Sequence, residues 1–504
     1  MSKAEYDSKA EFRGLETALT HVWEIAGEFG LDPFFTCFEV VPAHIMYELG
    51  AYGIPGAFSH WTRGRAYRQM KTEYDYGLSK IYEMVINSDP SVAYLLETNP
   101  PIVNTMVMAH VLGHTDFFKN NSLFAPTRKD MPDLAALRGS RISQYEQREG
   151  AEEVEKFLDA ALSIAEHVDP DPRSVVRLPR DEQMRVWREQ FMREQLRDRQ
   201  PRDEYEDLSG EEEKPEEEPL ATRVPVPLHP EKDVLGFING FAPYLSDWQR
   251  DIIDIVREES IYFWPQRRTK IINEGWASFW HKRIMREMAE RGYLPQGEDV
   301  EWWRLHAGVV APRKVGLNPY HFGLNMLEYL EEYHNGQLTT EENRWLENNG
   351  VPVCPKYTGP YQESPGLKEV YRLREYCDDQ AMIRNYFDGN VAARMNMYIY
   401  TQEEADDGIN YVVVEKGWEQ IRDQLAGSLT NCGFPYIVVE DGDYKGRQEL
   451  YLSHVFEGGE LDIEYLNKTL PYIYHLWGRP VHLETIVGEE KKVFSCNENG
   501  VAED

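Results

Sequence analysis

Two histidines four residues apart, His110 and His114, lie in the segment HVLGHTDFFKNN (110–121). In a helix, side chains four positions apart share one face, so both imidazoles can reach one metal ion. The spacing alone has low specificity, because two core histidines that are satisfied by hydrogen bonds give the same pattern. A metal site therefore requires a further ligand from elsewhere in the chain.

The segment IINEGWASFWH (271–281) supplies ligands of the required types. Glu274 and His281 are seven positions apart, which places them on one face of a predicted helix over two turns. A buried glutamate is costly unless it is paired, and a carboxylate and an imidazole both bind metals. The pattern predicts that His110, His114 and Glu274 hold a divalent metal, with His281 as the candidate fourth ligand.

The ligand set limits the choice of metal without deciding it. Two imidazoles and one carboxylate with an open coordination position suit Zn²⁺ in a hydrolytic role. The same ligands can hold Fe²⁺ or Mn²⁺. Zinc is the cofactor that we expect.

A hydrolytic metal site also needs a group that accepts a proton from the attacking water. The candidates in the sequence are Asp116, Glu83 and Glu259. His60, in the glycine-flanked segment SHWTRG (59–64), is a candidate on the substrate side of the site, because such a loop suits binding. The alternative for His60 is a loop histidine that caps local structure.

Helices are the main elements expected to position these residues. The stretch 102–119 is apolar and then abruptly polar, as in a buried helix whose end meets a cleft. Segments 67–87 and 90–98 are also predicted to be helical. From about residue 385, short runs rich in β-branched and aromatic residues predict strands with two helical stretches between them. The fold class is therefore α+β, with a large, mainly helical N-terminal body and a small α+β C-terminal domain.

The predicted domain division follows the sequence. Segment 201–219 carries ten acidic and two basic residues, and it has too few apolar side chains to offset its ordering entropy. The predicted parts are a helical body (1–200), an acidic disordered linker or insert (201–222), the second half of the body (223–345), a connecting segment (346–384) and the C-terminal domain (385–504).

Composition excludes several classes of function. The 504 residues include 54 Lys and Arg against 87 Asp and Glu, a net charge of −33, which argues against binding to nucleic acid. Such a charge also suits a halophilic host. Five scattered cysteines without a C-x-x-C pair indicate neither a disulfide framework nor a thiolate zinc site. With no signal peptide or membrane-spanning stretch, we expect a cytoplasmic protein.

The two metal-ligand segments resemble the helix pair of gluzincin metallopeptidases. In those enzymes a HExxH helix supplies two histidines and a later N-E-G-x-A-type helix supplies a glutamate, so His110, His114 and Glu274 match in type and order. Val111 occupies the position of the general-base glutamate, and 160 residues separate His114 from Glu274. Both departures argue against ordinary peptidase chemistry.

Motifs along nearly the whole chain resemble the SpoVR (stage V sporulation protein R-like) family. They include GIPGAFSHW (53–61), EMVINSDPSVAYLLETN (83–99), HVLGHTDFFKNN (110–121), WQRDIIDIVREESIYFWPQ (248–266), INEGWASFWH (272–281), LNPYHFG (317–323) and YIVVEDGDYKGRQELYLSH (436–454). The acidic insert lies outside them.

The resemblance to the SpoVR family implies a cytoplasmic protein of a sporulation or stress-response module. The family is named for a role in forming the spore cortex and also occurs in organisms that make no spores. Its members are often encoded beside a PrkA-like serine protein kinase and a protein with a von Willebrand factor A-type domain. These two proteins are the partners that the resemblance implies.

Three hypotheses for the function remain open at this stage. The first is a metal-dependent hydrolase that acts on a peptide, amide or cell-wall-related bond and lacks the usual HExxH general base. The second is a non-catalytic regulator or scaffold of the kinase, which Val111 favours. The third is a buried polar network of His110, His114 and Glu274 that holds helices together without a metal.

Overall fold

The computed structural model describes most of the chain. The described residues are 3–52, 66, 68, 83–171, 185, 225–295, 297–313, 316–405, 408–415 and 417–503, with side chains from residue 13 onward and without those of 51–52 and 400–415. His60 and the predicted acidic linker (201–222) lie outside them.

The described residues form sixteen α-helices and ten strands, which confirms the α+β class. The helices are α1 (Lys3–Phe29), α2 (Ala43–Tyr52), α3 (Pro101–Asn120), α4 (Met131–Glu149), α5 (Ala151–Leu162), α6 (Val234–Phe241), α7 (Asp247–Arg268), α8 (Lys270–Glu290), α9 (Glu298–Val309), α10 (Pro319–His334), α11 (Thr340–Asn348), α12 (Pro365–Tyr376), α13 (Asp379–Tyr386), α14 (Gly389–Arg394), α15 (Trp418–Ser428) and α16 (Ile463–Trp477). The strands are β1 (Thr36–Val41), β2 (Glu83–Ile86), β3 (Ser91–Leu96), β4 (Ile399–Ala405), β5 (Gly408–Glu415), β6 (Ile437–Tyr444), β7 (Glu449–His454), β8 (Val481–Val487), β9 (Glu490–Asn497) and β10 (Gly500–Glu503).

The chain divides into two compact units, each built from segments that are distant in sequence. The first unit comprises Met1–Arg141 and Tyr262–Gly433, and the second comprises Ile142–Ile261 and Phe434–Asp504. The domain bounds that we predict from the sequence concern which segments fold independently, and they stay a prediction.

Helix α3 is the central helix of the first unit. It begins at Pro101, where the fixed φ of proline suits the first turn and its missing N–H costs nothing. Seventeen of its twenty residues, from Ile102 to Phe118, are buried, so the helix is enclosed on all sides. The sequence correctly predicted a buried helix in this region.

Helix α8 packs against α3 and is anchored at its N-terminus by a carboxylate. The backbone N–H groups of Ile271 and Ile272 each donate to Asp379 over 2.8 Å, which satisfies two of the donors that a helix start leaves free. Gly113 of α3 faces Ala277 of α8, and a Cβ on Gly113 would lie 2.7 Å from the Ala277 Cα. The missing side chain lets the two helices approach closely.

A three-stranded sheet in the order β1-β3-β2 belongs to the same unit, with β1 parallel and β2 antiparallel to β3. The prediction of a helix over 90–98 is wrong, because Ser91–Leu96 forms β3. In this strand Ala93 and Leu95 are buried while Val92 and Tyr94 are half-buried, the alternation of a strand. The last part of the predicted 67–87 helix is strand β2.

The second unit contains the small C-terminal sheet that the sequence predicted. Its strand order is β10-β9-β8-β7-β6, with β7 and β8 parallel and the other pairs antiparallel. Phe237 of α6 stacks on Trp477 of α16 with ring centroids 5.9 Å apart, within the apolar core of this unit. None of the described helices combines the length and the apolarity that crossing a bilayer requires.

Candidate metal centre

Four side chains with metal-binding groups meet inside the first unit. His110 and His114 come from α3, Glu274 comes from α8, and Glu83 is the first residue of strand β2. One ligand atom from each residue lies within 4.8 Å of every other. Three elements that are far apart in sequence thus converge on one point.

The distances within this cluster match the spacing of ligands around an ion. The Nε2 atom of His110 lies 3.2 Å from Glu83 Oε1 and 3.4 Å from Glu274 Oε2. The corresponding distances from His114 Nε2 are 3.7 Å and 3.4 Å. Zinc bonds of about 2.0–2.1 Å place tetrahedral ligands about 3.3–3.4 Å apart. Most of the cluster distances exceed those of good N–H···O hydrogen bonds.

The opposite nitrogen of His114 makes an ordinary hydrogen bond. Its Nδ1 lies 2.9 Å from the side-chain oxygen of Asn273, which can only accept. Nδ1 therefore carries a proton, and Nε2 is the nitrogen that faces the cluster. Metal-binding histidines are held in the same way by a partner on their far nitrogen.

A chain of three histidines extends from the other side of the cluster. His110 Nδ1 lies 2.7 Å from His281 Nδ1, and His281 Nε2 lies 2.7 Å from His306 Nδ1. Burial first, and the charges of His110 and His306 next, hold the pKa of His281 well below its usual range. Burial also lowers the pKa of His306 to about 4. With His281 and His306 neutral, His110 donates from Nδ1 to His281 and His281 donates from Nε2 to His306, so His110 Nε2 is the nitrogen that faces the cluster.

The buried charges of the metal-free cluster balance through protons. Burial alone would raise the pKa of Glu83. The positive charges of His110 and His114, and the hydrogen bonds that these rings donate, outweigh burial and lower the pKa to about 2. Burial lowers the pKa of His114, but Glu274 and Glu83 outweigh it and raise the pKa to about 10. Positive charge near the two carboxylates therefore stabilises their ionised forms, and either protons on the histidines or a bound cation can provide it.

The cluster lines a cavity of about 730 Å³. Tyr320 of α10 reaches this cavity, and its ring centroid lies 5.8 Å from that of His110. Burial raises the pKa of the Tyr320 hydroxyl far above its usual range, and the charges of Glu83 and Glu274 raise it further. Lys270 also lines the cavity and forms an ion pair with Glu274. The donors and acceptors around the cluster can therefore contact a bound molecule.

Comparison with known proteins connects these residues to a family. The model for SpoVR like protein matches residues 9–434, and the model for the SpoVR-like C-terminal domain matches residues 435–488. The chain belongs to the SpoVR family. It is 28% identical over 490 residues to "Uncharacterized protein YcgB" of Escherichia coli (strain K12), covering 93% of this chain and 91% of that protein. No solved structure matches.

Asp116, another predicted site residue of this SpoVR-family protein, is not one of the four residues of the cluster. Asp116 is fully buried, pairs with Arg374 over 2.9 Å and accepts from the Asp32 backbone N–H over 2.7 Å. Burial raises the pKa of Asp116, and Arg374 opposes this effect. Asp116 is not among the cavity-lining residues, and Glu259 belongs to the second unit.

His281 was predicted as the fourth ligand, and the structure places it behind His110 instead. The side chain that lies next to the two histidines and Glu274 is Glu83, which the sequence suggested as a proton acceptor. Sequence reasoning missed His306, Asn273 and Tyr320. Asn273 directly precedes Glu274, so its proximity to the site could have been inferred, whereas no local pattern marks His306.

Replacing His281 with phenylalanine is expected to weaken zinc binding by about 10- to 100-fold without abolishing it. Phenylalanine keeps an aromatic ring at this position but removes the nitrogen acceptor that orients His110. Loss of such an outer partner of a metal ligand typically weakens metal binding by this factor. Zinc competition with a chromogenic chelator measures the change. An affinity equal to that of the unmodified protein would show that His281 does not orient His110, and a complete loss would make His281 a ligand.

Proposed function

We propose that this SpoVR-family protein is a metal-dependent hydrolase of a peptide, amide or cell-wall-related bond. Zinc is the proposed ion, held by His110, His114 and Glu274. The observation that carries the proposal is the cluster itself, in which two correctly oriented imidazoles and two carboxylates line a large cavity. The residues present fit zinc in donor type and in spacing.

Bound zinc would supply Lewis-acid chemistry and make water a nucleophile near neutral pH. Glu83 is the proposed general base, because its carboxylate lines the cavity and lies 3.2 Å and 3.7 Å from the Nε2 atoms of the two histidines. When zinc replaces the protons of the two imidazoles, the charge of the ion takes the place of theirs and keeps the Glu83 carboxylate ionised. An ionised carboxylate at this position can accept a proton from the attacking water.

Two further residues have roles in this proposal. Tyr320 keeps its proton because its pKa is raised, so its hydroxyl can donate to an oxyanion that develops on the substrate. Lys270 pairs with Glu274 and holds that carboxylate in the cluster. Val111, at the position of the usual glutamate, is fully buried in the core, so a base must come from another element. Strand β2 brings Glu83 to the cavity in its place.

Replacing Glu83 with glutamine is expected to leave zinc bound and to reduce turnover at least 100-fold, since a general base contributes about 10²- to 10⁴-fold. The assay incubates zinc-loaded protein with a mixture of short N-acylated peptides and detects products by mass spectrometry. Glu39→Gln, at an exposed position of β1, is the matched control with the same charge change. Loss of zinc in Glu83→Gln would instead make Glu83 a fourth ligand, and turnover equal to the control would refute its role as base.

The second candidate function is a non-catalytic regulator of a PrkA-like serine protein kinase or of its von Willebrand factor A-type companion. Val111 favours it, and a site closed by four protein ligands would be structural. A kinase captured from a cell extract by both the unmodified protein and the His110→Ala, His114→Ala double variant would support this function. Turnover that the double variant abolishes would refute it.

A cytoplasmic location and a part in a sporulation or stress response complete the proposal. All five cysteines are free thiols, as expected in a reducing compartment. The sporulation role is supported by family membership alone.

A further inference from the structure

The cavity beside the metal cluster is much larger than an ion and a water molecule require. Its volume of about 730 Å³ lies within the range of about 300–1,000 Å³ that is typical of small-molecule sites. Strand β2 and helices α3 and α9 supply an apolar wall, formed by Met84, Val85, Met106, Val107, Phe118, Leu305 and Val309. This wall suits an aliphatic or aromatic group.

The charges around the cavity differ in sign from those of the protein as a whole. Among the residues that the structure describes, Glu83 and Glu274 are the two carboxylates of its lining, and a divalent ion would neutralise them while the histidines remain uncharged. The other charged side chains of the described lining, Lys270 and Arg304, are cationic. A chain with a net charge of −33 thus has a cavity that favours an anion.

Arg304 is the cation of this cavity that is free to bind a ligand. It projects from α9, is exposed, and forms no ion pair with any residue that the structure describes. Lys270 is already paired with Glu274. Elsewhere in the same unit, Arg283 and Arg394 pair with Glu331 and Glu332. A free guanidinium offers the planar pair of donors that matches a carboxylate.

We infer that the substrate is a short peptide or an N-acylated amino acid with an apolar side chain and a free carboxylate. The apolar wall takes the side chain, and Arg304 pairs with the carboxylate. This inference rests on the proposed function, since it names the substrate class of the same site.

The test measures binding of two non-hydrolysable probes to the zinc-loaded, full-length protein by isothermal titration calorimetry. The probes are 3-phenylpropanoate, which has a carboxylate, and 3-phenylpropan-1-ol, which is neutral. The unmodified protein is expected to bind the carboxylate about tenfold more tightly, the size of effect that a charge-assisted hydrogen bond gives. Arg304→Met should remove this preference and leave binding of the alcohol unchanged, and Arg304→Lys should retain part of it.

Arg344→Met is the matched control, because Arg344 is an exposed arginine of α11 that does not line the cavity. It should keep the full preference, and all variants should keep their zinc. A preference that persists in Arg304→Met would show that the zinc binds the carboxylate, which overturns this inference and leaves the proposed function intact. No preference in the unmodified, zinc-loaded protein would overturn it as well. A protein that takes up no zinc would instead refute the proposed function.

Discussion

Replacing His114 with alanine is expected to weaken zinc binding by about 100- to 1,000-fold and to leave the purified protein without stoichiometric metal. His114 Nε2 lies 3.4 Å from Glu274 Oε2, and Asn273 orients the ring. Structural zinc sites with four protein ligands bind with roughly 10–16 kcal/mol, so one ligand of such a site accounts for about 2.5–4 kcal/mol. Elemental analysis of protein prepared without chelator, followed by zinc competition, measures the loss.

His334→Ala is the control for this experiment, since His334 is a partly exposed histidine at the end of α10, outside the cluster. It should retain zinc. Stoichiometric zinc in His114→Ala would show that the cluster is not the metal site. An unmodified protein that carries no metal and takes up none would favour the buried polar network.

The pH dependence of zinc binding provides a second measurement on the same variants. In the metal-free protein the pKa of His114 is raised to about 10, so at neutral pH this ring holds a proton that zinc must displace. Burial lowers the pKa of His110, but Glu83 and Glu274 outweigh it and raise this pKa as well. Zinc affinity of the unmodified protein should therefore fall by at least about tenfold for each unit of pH decrease near neutrality, since each proton released per ion contributes that factor. His114→Ala has no such proton to release, so its residual affinity should depend less on pH.

The ligands could be predicted from sequence to the extent that they follow helical periodicity. His110 and His114 are one turn apart, so their shared face follows from spacing alone. Glu274 was added through its chemistry and through the resemblance of its segment to a known helix pair. Their convergence could not be derived, because nothing in a gap of 160 residues says which helices pack together.

Glu83 shows why part of the site was assigned less well. Its segment was predicted to be helical, whereas Glu83 is the first residue of strand β2. The pairing of β2 with β3 determines that position. Pairing between strands depends on contacts that short apolar runs do not reveal.

The histidine chain and the division into two units could not be predicted from the sequence for the same reason. His306 contacts His281 from another helix, and no local pattern near His306 identifies that partner. The second unit joins 142–261 to 434–504 across a long stretch of sequence. Local patterns predict helices and strands, whereas side-chain partners and the grouping of segments depend on tertiary packing.

Replacing Gly275 with alanine is expected to lower the free energy of unfolding by about 3 kcal/mol or more, although it adds only one methyl group. Gly275 follows the ligand Glu274 in α8 and faces Gly323 of α10. A Cβ on Gly275 would lie 2.6 Å from the Gly323 Cα, and a Cβ on Gly323 would lie 2.7 Å from the Gly275 Cα. Overpacking typically costs about 1–3 kcal/mol, and here the obstacle is backbone that no rotamer change can relieve, so we expect a cost at or above the upper end of that range.

Gly27→Ala is the matched control, since Gly27 lies in α1 and an added Cβ would meet no atom within 4 Å. That substitution should stabilise the protein by about 0.5–1 kcal/mol, the helix preference of alanine over glycine. Urea unfolding followed by circular dichroism compares the two variants, and zinc affinity provides a second measurement. Because the clash moves α8 away from α10, Gly275→Ala should also displace Glu274 and weaken zinc binding. Equal stability of both variants would show that the two helices are farther apart than the structure has them, and the position of Glu274 in the cluster would then lose its support.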